Sequence, residues 1–201
     1  MDVLRDLNRL NDGIDKAWVL QNGKHSQSLL YDYLQQINFC IQDLNTEYHN
    51  MDNFTRKEVV YCIALTDWIS EAMRKITQCI RDDVLSGFVY AKDAILEEHE
   101  NYLRALRSLA VAHPLSTNRH PAFGLNGDII CIDINTKTPM IAREHWYYHL
   151  DEHGLTNNYQ QTDTFYLIAY SRNIENSQFQ IAIGCNIQTL IETARLYIDK
   201  L

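Results

Sequence analysis

Residues Ile95 to Phe123 read ILEEHENYLRALRSLAVAHPLSTNRHPAF, a helical pattern that runs into Pro114 and then into a polar loop. Proline removes a backbone donor and clashes with the turn before it, so a helix here ends at or just before that residue. Two apolar rows run along the helix: Ile95, Tyr102, Leu106 and Leu109, and beside them Leu96, Leu103 and Ala110. A helix apolar on more than one face is either surrounded within its bundle or buried against a partner. The periodicity upstream predicts a bundle of only about four helices, so the second row is expected to meet a partner.

The same stretch is unusual in charge. From Asn101 to Gly127 no acidic side chain occurs, whereas Arg104, Arg107, His113, Arg119 and His120 all fall inside. In a chain of formal net charge -8 this is a local positive island, and such islands recruit anions. A pI near 5.4 argues against nonspecific coating of nucleic acid but is compatible with a small basic cleft on an acidic body.

The 201 residues are ample for a buried core. With 46% apolar and 22% charged side chains the composition is that of a soluble globular protein rather than a disordered one. The amino terminus, MDVLRDLNRL, lacks the basic-then-apolar order of a secretory signal, and no apolar run approaches the roughly 20 residues of a membrane helix. These features predict a cytoplasmic protein without membrane contact. Cys40, Cys62, Cys79, Cys131 and Cys185 are odd in number and contain no CxxC pair. Three of them fall where helical core residues fall, so buried thiols are expected rather than disulfides or zinc ligands.

Going back along the chain, Val3, Leu4, Leu7, Leu10, Ile14 and Trp18 predict an amphipathic helix from Asp2 to Leu20, interrupted near Asp12 and Gly13. Leu30, Leu34, Ile37, Ile41, Leu44 and Tyr48 alternate steps of four and three through about six turns. After a turn at 49–53, Val59, Cys62, Thr66, Ile69, Met73, Ile76 and Ile80 repeat that pattern, predicting a second long helix antiparallel to the first. Arg81 to Gly87 interrupts it, and the arginine-bearing helix is predicted to begin near Phe88. Beyond Pro114 the texture changes: Gly124 to Gly127 marks a turn, and 129–134, 164–171 and 179–183 read as strands. The segment REHWYYHLDEHG between them suits helix or strand equally. Ile187, Leu190, Ile191, Ala194, Tyr197 and Ile198 predict a closing helix capped by Asn186. The fold class is therefore mainly α: a helical bundle over residues 1–122, then a small α+β extension over 123–201 packed on the bundle.

A bundle of about four helices whose last long helix carries Arg107, then five residues, then His113 resembles the HEPN superfamily. The local context is Leu106, Arg107, Ser108, Leu109, Ala110, Val111, Ala112, His113, Pro114. The resemblance covers roughly residues 1 to 120. It implies a homodimer that brings both copies of the motif to one cleft, metal-independent cleavage of RNA, and a setting such as a toxin with its antitoxin or an antiviral defence complex.

The residue types suit that chemistry. Without metal, the ribose 2′-hydroxyl must attack its own phosphate, so a base must accept its proton and a fixed cation must stabilise the phosphorane. Histidine titrates near neutrality, which makes His113 the candidate base. Arginine stays charged and can grip two phosphate oxygens, which suits Arg107. Ser108 is placed to orient substrate, although it departs from the asparagine, aspartate or histidine often found there in the family. Arg104, Arg119 and His120 would be anion-binding neighbours.

The bland readings are a helix-capping or core histidine at 113, and an ion pair of Arg107 with Glu97 or Glu100. Arg143 and His149 match the same spacing, but among Glu144, Asp151 and Glu152. A metal site on His145, His149 and His153 would need a helix there, and three positions spaced by four span about 12 Å along its axis, too far for one ion. No cofactor or metal is called for. The alternative of another class is a noncatalytic dimeric helical adaptor or regulatory partner, which needs apolar faces but no reaction.

Overall fold

Two helices of 23 residues each, Gln27–His49 and Arg56–Gln78, form the centre of the molecule. We call them α2 and α3. Leu30, Leu34, Ile37, Ile41 and Leu44 on α2 face Val59, Cys62, Thr66, Ile69, Met73 and Ile76 on α3, and all of these are buried. The antiparallel pairing follows from a short link, a 3₁₀ turn at Met51–Asn53. A reciprocal cap opens α3: the Thr55 N–H donates to Glu58 Oε2 at 3.0 Å, and the Lys57 N–H donates to Thr55 Oγ1 at 3.3 Å. Thr-x-x-Glu before an apolar run is the arrangement that satisfies otherwise orphaned amides at a helix start.

The computed structural model describes residues 3–9, 12–23, 27–78, 94–112, 129–136, 146–151, 154–156, 164–171 and 179–201. The remaining elements are α1 (Asp12–Asn22), α4 (Ala94–Arg107), α5 (Ile187–Ile198), β1 (Ile129–Asn135), β2 (Trp146–Asp151), β3 (Gly154–Thr156), β4 (Phe165–Ser171) and β5 (Phe179–Cys185). With helices up to residue 112, then a five-stranded sheet and a closing helix, the molecule has the predicted fold class. The predicted helix start near Phe88, the interruption at 81–87 and the turn at 124–127 lie outside the described residues.

The five strands make one sheet in the order β1-β4-β5-β2-β3. β4 pairs antiparallel with both β1 and β5, while β2 runs parallel to β5. The segment that suited helix or strand equally is thus strand at Trp146–Asp151. In register, Phe165 faces Cys185 and Leu167 faces Ile183, and all four are buried in the same hydrophobic cluster as the helices. The edge strand β1 is tied to the bundle by Arg56, whose Nε donates to the Ile134 carbonyl at 3.0 Å and whose Nη2 pairs with the Asp133 carboxylate.

The closing helix is capped as predicted: Asn186 Oδ1 accepts the Gln188 N–H at 2.9 Å. It packs on α3 and α4, and its Ile187, Leu190, Ile191 and Ala194 are buried. This corrects the expectation for the second apolar row of α4. Leu96 and Leu103 are as buried as Tyr102 and Leu106, all at 0–1% exposure within one chain. The face that was expected to need a partner is buried within the chain itself, where α4 packs on α3, on α5 and on the sheet.

The amino terminus is the other correction. Helix begins only at Asp12, and the preceding segment runs along α2, bonded to two asparagines. Asn45 Oδ1 accepts from the Val3 N–H at 3.1 Å and the Leu4 N–H at 2.9 Å, and its Nδ2 donates to the Leu4 carbonyl at 2.8 Å. Asn38 repeats the device, accepting from the Leu7 N–H at 2.7 Å and donating to the Leu7 carbonyl at 2.9 Å. Asn38 and Asn45 are seven apart, two helical turns, and so project from one face. Side-chain amides pair here with the backbone groups a helix would have used.

Candidate functional site

Arg107 is the last residue of α4. The next five residues, Ser108–Ala112, form a turn of π-helix. Such turns are rare and recur at functional sites. Leu106 and Leu109 on either side are buried, so packing fixes the backbone from which Arg107 projects. Half of the Arg107 side chain is open to solvent, and its Nε lies 3.1 Å from Asp67 Oδ2 on α3.

Asp67 is the residue that sequence reasoning missed. Its side chain is only 18% exposed, and it follows Thr66 in the buried row of α3. Burial pushes its carboxyl above the usual range; the Arg107 guanidinium pulls it back and Glu71 adds repulsion. The available signal was its place at the shoulder of a core stripe, where a carboxylate calls for a cation on the helix packed against it.

Arg104 is exposed and pairs with Glu100 one turn earlier on the same helix. Arg74 donates from Nε to Glu71 Oε2 at 2.8 Å and pairs through Nη2 with the other oxygen of that carboxylate. The stretch that is acid-free along the chain is therefore not acid-free in space. Around the end of α4, the three guanidiniums of Arg74, Arg104 and Arg107 meet the three carboxylates of Asp67, Glu71 and Glu100. The ion pair of Arg107 is with α3, not with Glu97 or Glu100. Ser108 sits half-buried beside Arg107. His113, Arg119 and His120 lie outside the described residues, as do His145 and His153. His149 falls on β2, so the helical premise of a histidine metal site does not hold.

A second polar contact lies deeper on α4. His99 is 7% exposed, and its Nδ1 is 2.7 Å from Thr193 Oγ1 on α5. The Thr193 hydroxyl donates to the Thr189 carbonyl at 2.7 Å, which uses its only hydrogen. Nδ1 of His99 must then be the donor in the contact with Thr193. Nearby, the buried Tyr102 hydroxyl donates to the Gly184 carbonyl of β5. These bonds join helix to helix and helix to sheet.

Adjoining the cluster of guanidiniums and carboxylates through Glu71, the side chains of Tyr33, Gln36, Trp68, Glu71, Ala72 and Lys75 line a shallow groove of about 290 Å³. Trp68 is 47% exposed there. Cys40, Cys62 and Cys185 are buried and in no disulfide, as expected of core thiols. Among the described residues, no helix is long and apolar enough to cross a membrane. No family model, curated protein or solved structure matches the chain.

Proposed function

We propose that this chain is a metal-independent endoribonuclease of the HEPN type, acting as a homodimer in the cytoplasm, in a toxin or antiviral defence role. The observation that carries the reading is Arg107: a guanidinium at the end of the last long bundle helix, set by buried neighbours, half open to solvent, and six positions before His113. In the reaction the 2′-oxygen forms a bond to phosphorus, giving a 2′,3′-cyclic phosphate, as the bond to the 5′-oxygen breaks. That oxygen leaves with the downstream RNA and takes a proton from water. His113 takes the 2′ proton, and Arg107 holds the charge that builds on the phosphorane oxygens. Arg104, Ser108, Arg119 and His120 contact the RNA beside them. With acids and bases balanced around Arg107, selectivity for RNA comes from the placement of donors rather than from a broad positive field.

The test is RNA cleavage by the purified protein in excess EDTA, with Arg107→Ala and His113→Ala beside the wild type and the dimer mass checked for each. Cleavage lost in both variants with the dimer intact is the expected result. Cleavage unaffected by either change refutes the assignment of the pair.

One observation favours a second reading, a noncatalytic adaptor. Phe39 and Trp68 are about half exposed, and Trp68 lines an apolar groove of the kind a protein partner covers. Absence of cleavage by the wild type over a broad set of RNAs selects this reading.

A further inference from the structure

Arginine carries donors on more than one edge of a planar group, and which edge meets a phosphate decides whether the grip is single or bidentate. In this chain Asp67 lies against the Nε side of Arg107, 3.1 Å away. Half of the Arg107 side chain is open to solvent, and among the described residues no second carboxylate pairs with it. We propose that Asp67 is a positioning residue for the reaction: it holds the Arg107 guanidinium so that its Nη edge meets the scissile phosphate of RNA. The inference rests on the ribonuclease reading and adds to it a residue from a different helix.

Two further observations support it. Asp67 is anchored in α3 next to the buried Thr66 and one turn after the buried Ile63, so it offers Arg107 a fixed partner rather than a mobile one. Its charge is also no help to the fold. Burial outweighs the attraction of Arg107 and leaves the carboxyl raised, so its stabilising contribution is full below the usual carboxylate range and is lost as pH rises through the raised value. The ionised form is therefore the one that burial disfavours, and its contribution lies in what it does to Arg107.

The measurement is steady-state RNA cleavage by the full-length protein in EDTA for wild type, Asp67→Asn, Asp67→Glu and Arg107→Ala, with a melting temperature for each. Asp67→Asn is expected to lower kcat about tenfold or more, since misplacing one catalytic group by about 1 Å has effects of up to about 100-fold. Its KM stays level or falls, because a negative charge beside the RNA has gone, and its melting temperature does not drop. Asp67→Glu, which keeps the carboxylate, recovers part of the lost kcat.

If Asp67→Asn keeps kcat within about twofold of wild type while Arg107→Ala is inactive, the positioning role is refuted and the ribonuclease reading stands. A rise in KM alone, or a loss explained by unfolding, refutes it as well. A wild type that cleaves no RNA overturns the reading and the inference together.

Discussion

Two of the polar contacts on helix α4, eight residues or about 12 Å apart, differ in kind. His99 is 7% exposed and spends its Nδ1 on Thr193, a residue whose own hydroxyl is already committed. Arg107 is half exposed and held on one side by Asp67. The first contact is closed inside the core, and its worth is the stability of a satisfied buried pair. The second is open, and its worth to stability is small. A side chain that is fixed in place yet available to solvent is suited to act on something that arrives, whereas a side chain enclosed by its partners can only hold the fold together.

The comparison can be broken most forcefully at its open end. Arg107→Ala is expected to reduce RNA cleavage in EDTA about 100-fold or more, the scale for removing a group that stabilises transition-state charge. Its melting temperature should stay close to that of the wild type. Equal losses of activity and stability would place Arg107 with His99 as a structural residue.

At the closed end, Thr193→Val removes the acceptor for His99 and leaves a buried donor unsatisfied. Urea unfolding is expected to show a loss of about 1–3 kcal/mol, while cleavage per folded molecule stays the same. A fall in cleavage per folded molecule would mean that the two ends of α4 are coupled.

Smaller effects sharpen the contrast elsewhere in the bundle. The Tyr61 hydroxyl donates to Asp43 Oδ2 at 2.6 Å, and that bond, aided by burial, pushes the phenol up to about 12. Its folded value lies above its unfolded one, so its contribution is full below about pH 10 and is lost as pH rises through the folded value. Wild type should lose stability across that alkaline window more steeply than Tyr61→Phe, as read by urea midpoints at successive pH values. Smallest of all, Cys40, Cys62 and Cys185 are buried, and burial raises the Cys62 thiol to about 12. Mass spectrometry after brief thiol labelling should find these three unmodified in the native protein and modified in urea.

What could be read from the sequence was whatever rests on local periodicity. The stripes of α2 and α3 alternate threes and fours without interruption. Asn186 sits where a cap belongs, and the β-branched run at 129–134 has no competing helical period. The segment 3–9 defeated the same method. Its leucines do have helical spacing, but Asn38 and Asn45 offer its backbone better partners, and nothing within the segment records that. Two features of the site failed for a related reason. Asp67 is 40 positions from Arg107 along the chain, so an acid-free window in sequence concealed an acid adjacent in space. The second apolar row of α4 correctly announced burial, but not that the cover lies within the chain, which adds α5 to the α4 packing only from position 187 on.

That late cover has a consequence for how the protein is made. The ribosome releases α1 to α4 first, with one face of α4 and the facing side of α3 bare, then the sheet, and last the helix that covers both. Domains usually fold in the order of synthesis, each as its own segment emerges. Here the nascent bundle must wait with apolar surface uncovered until residues 187–198 leave the exit tunnel. Arg195 reaches the Val3 carbonyl at 3.3 Å, so segments 192 positions apart in synthesis finish side by side. Translation that stalls anywhere in the sheet leaves a chain prone to aggregate or to be captured by chaperones, although it already contains Arg107 and its carboxylate partner Asp67.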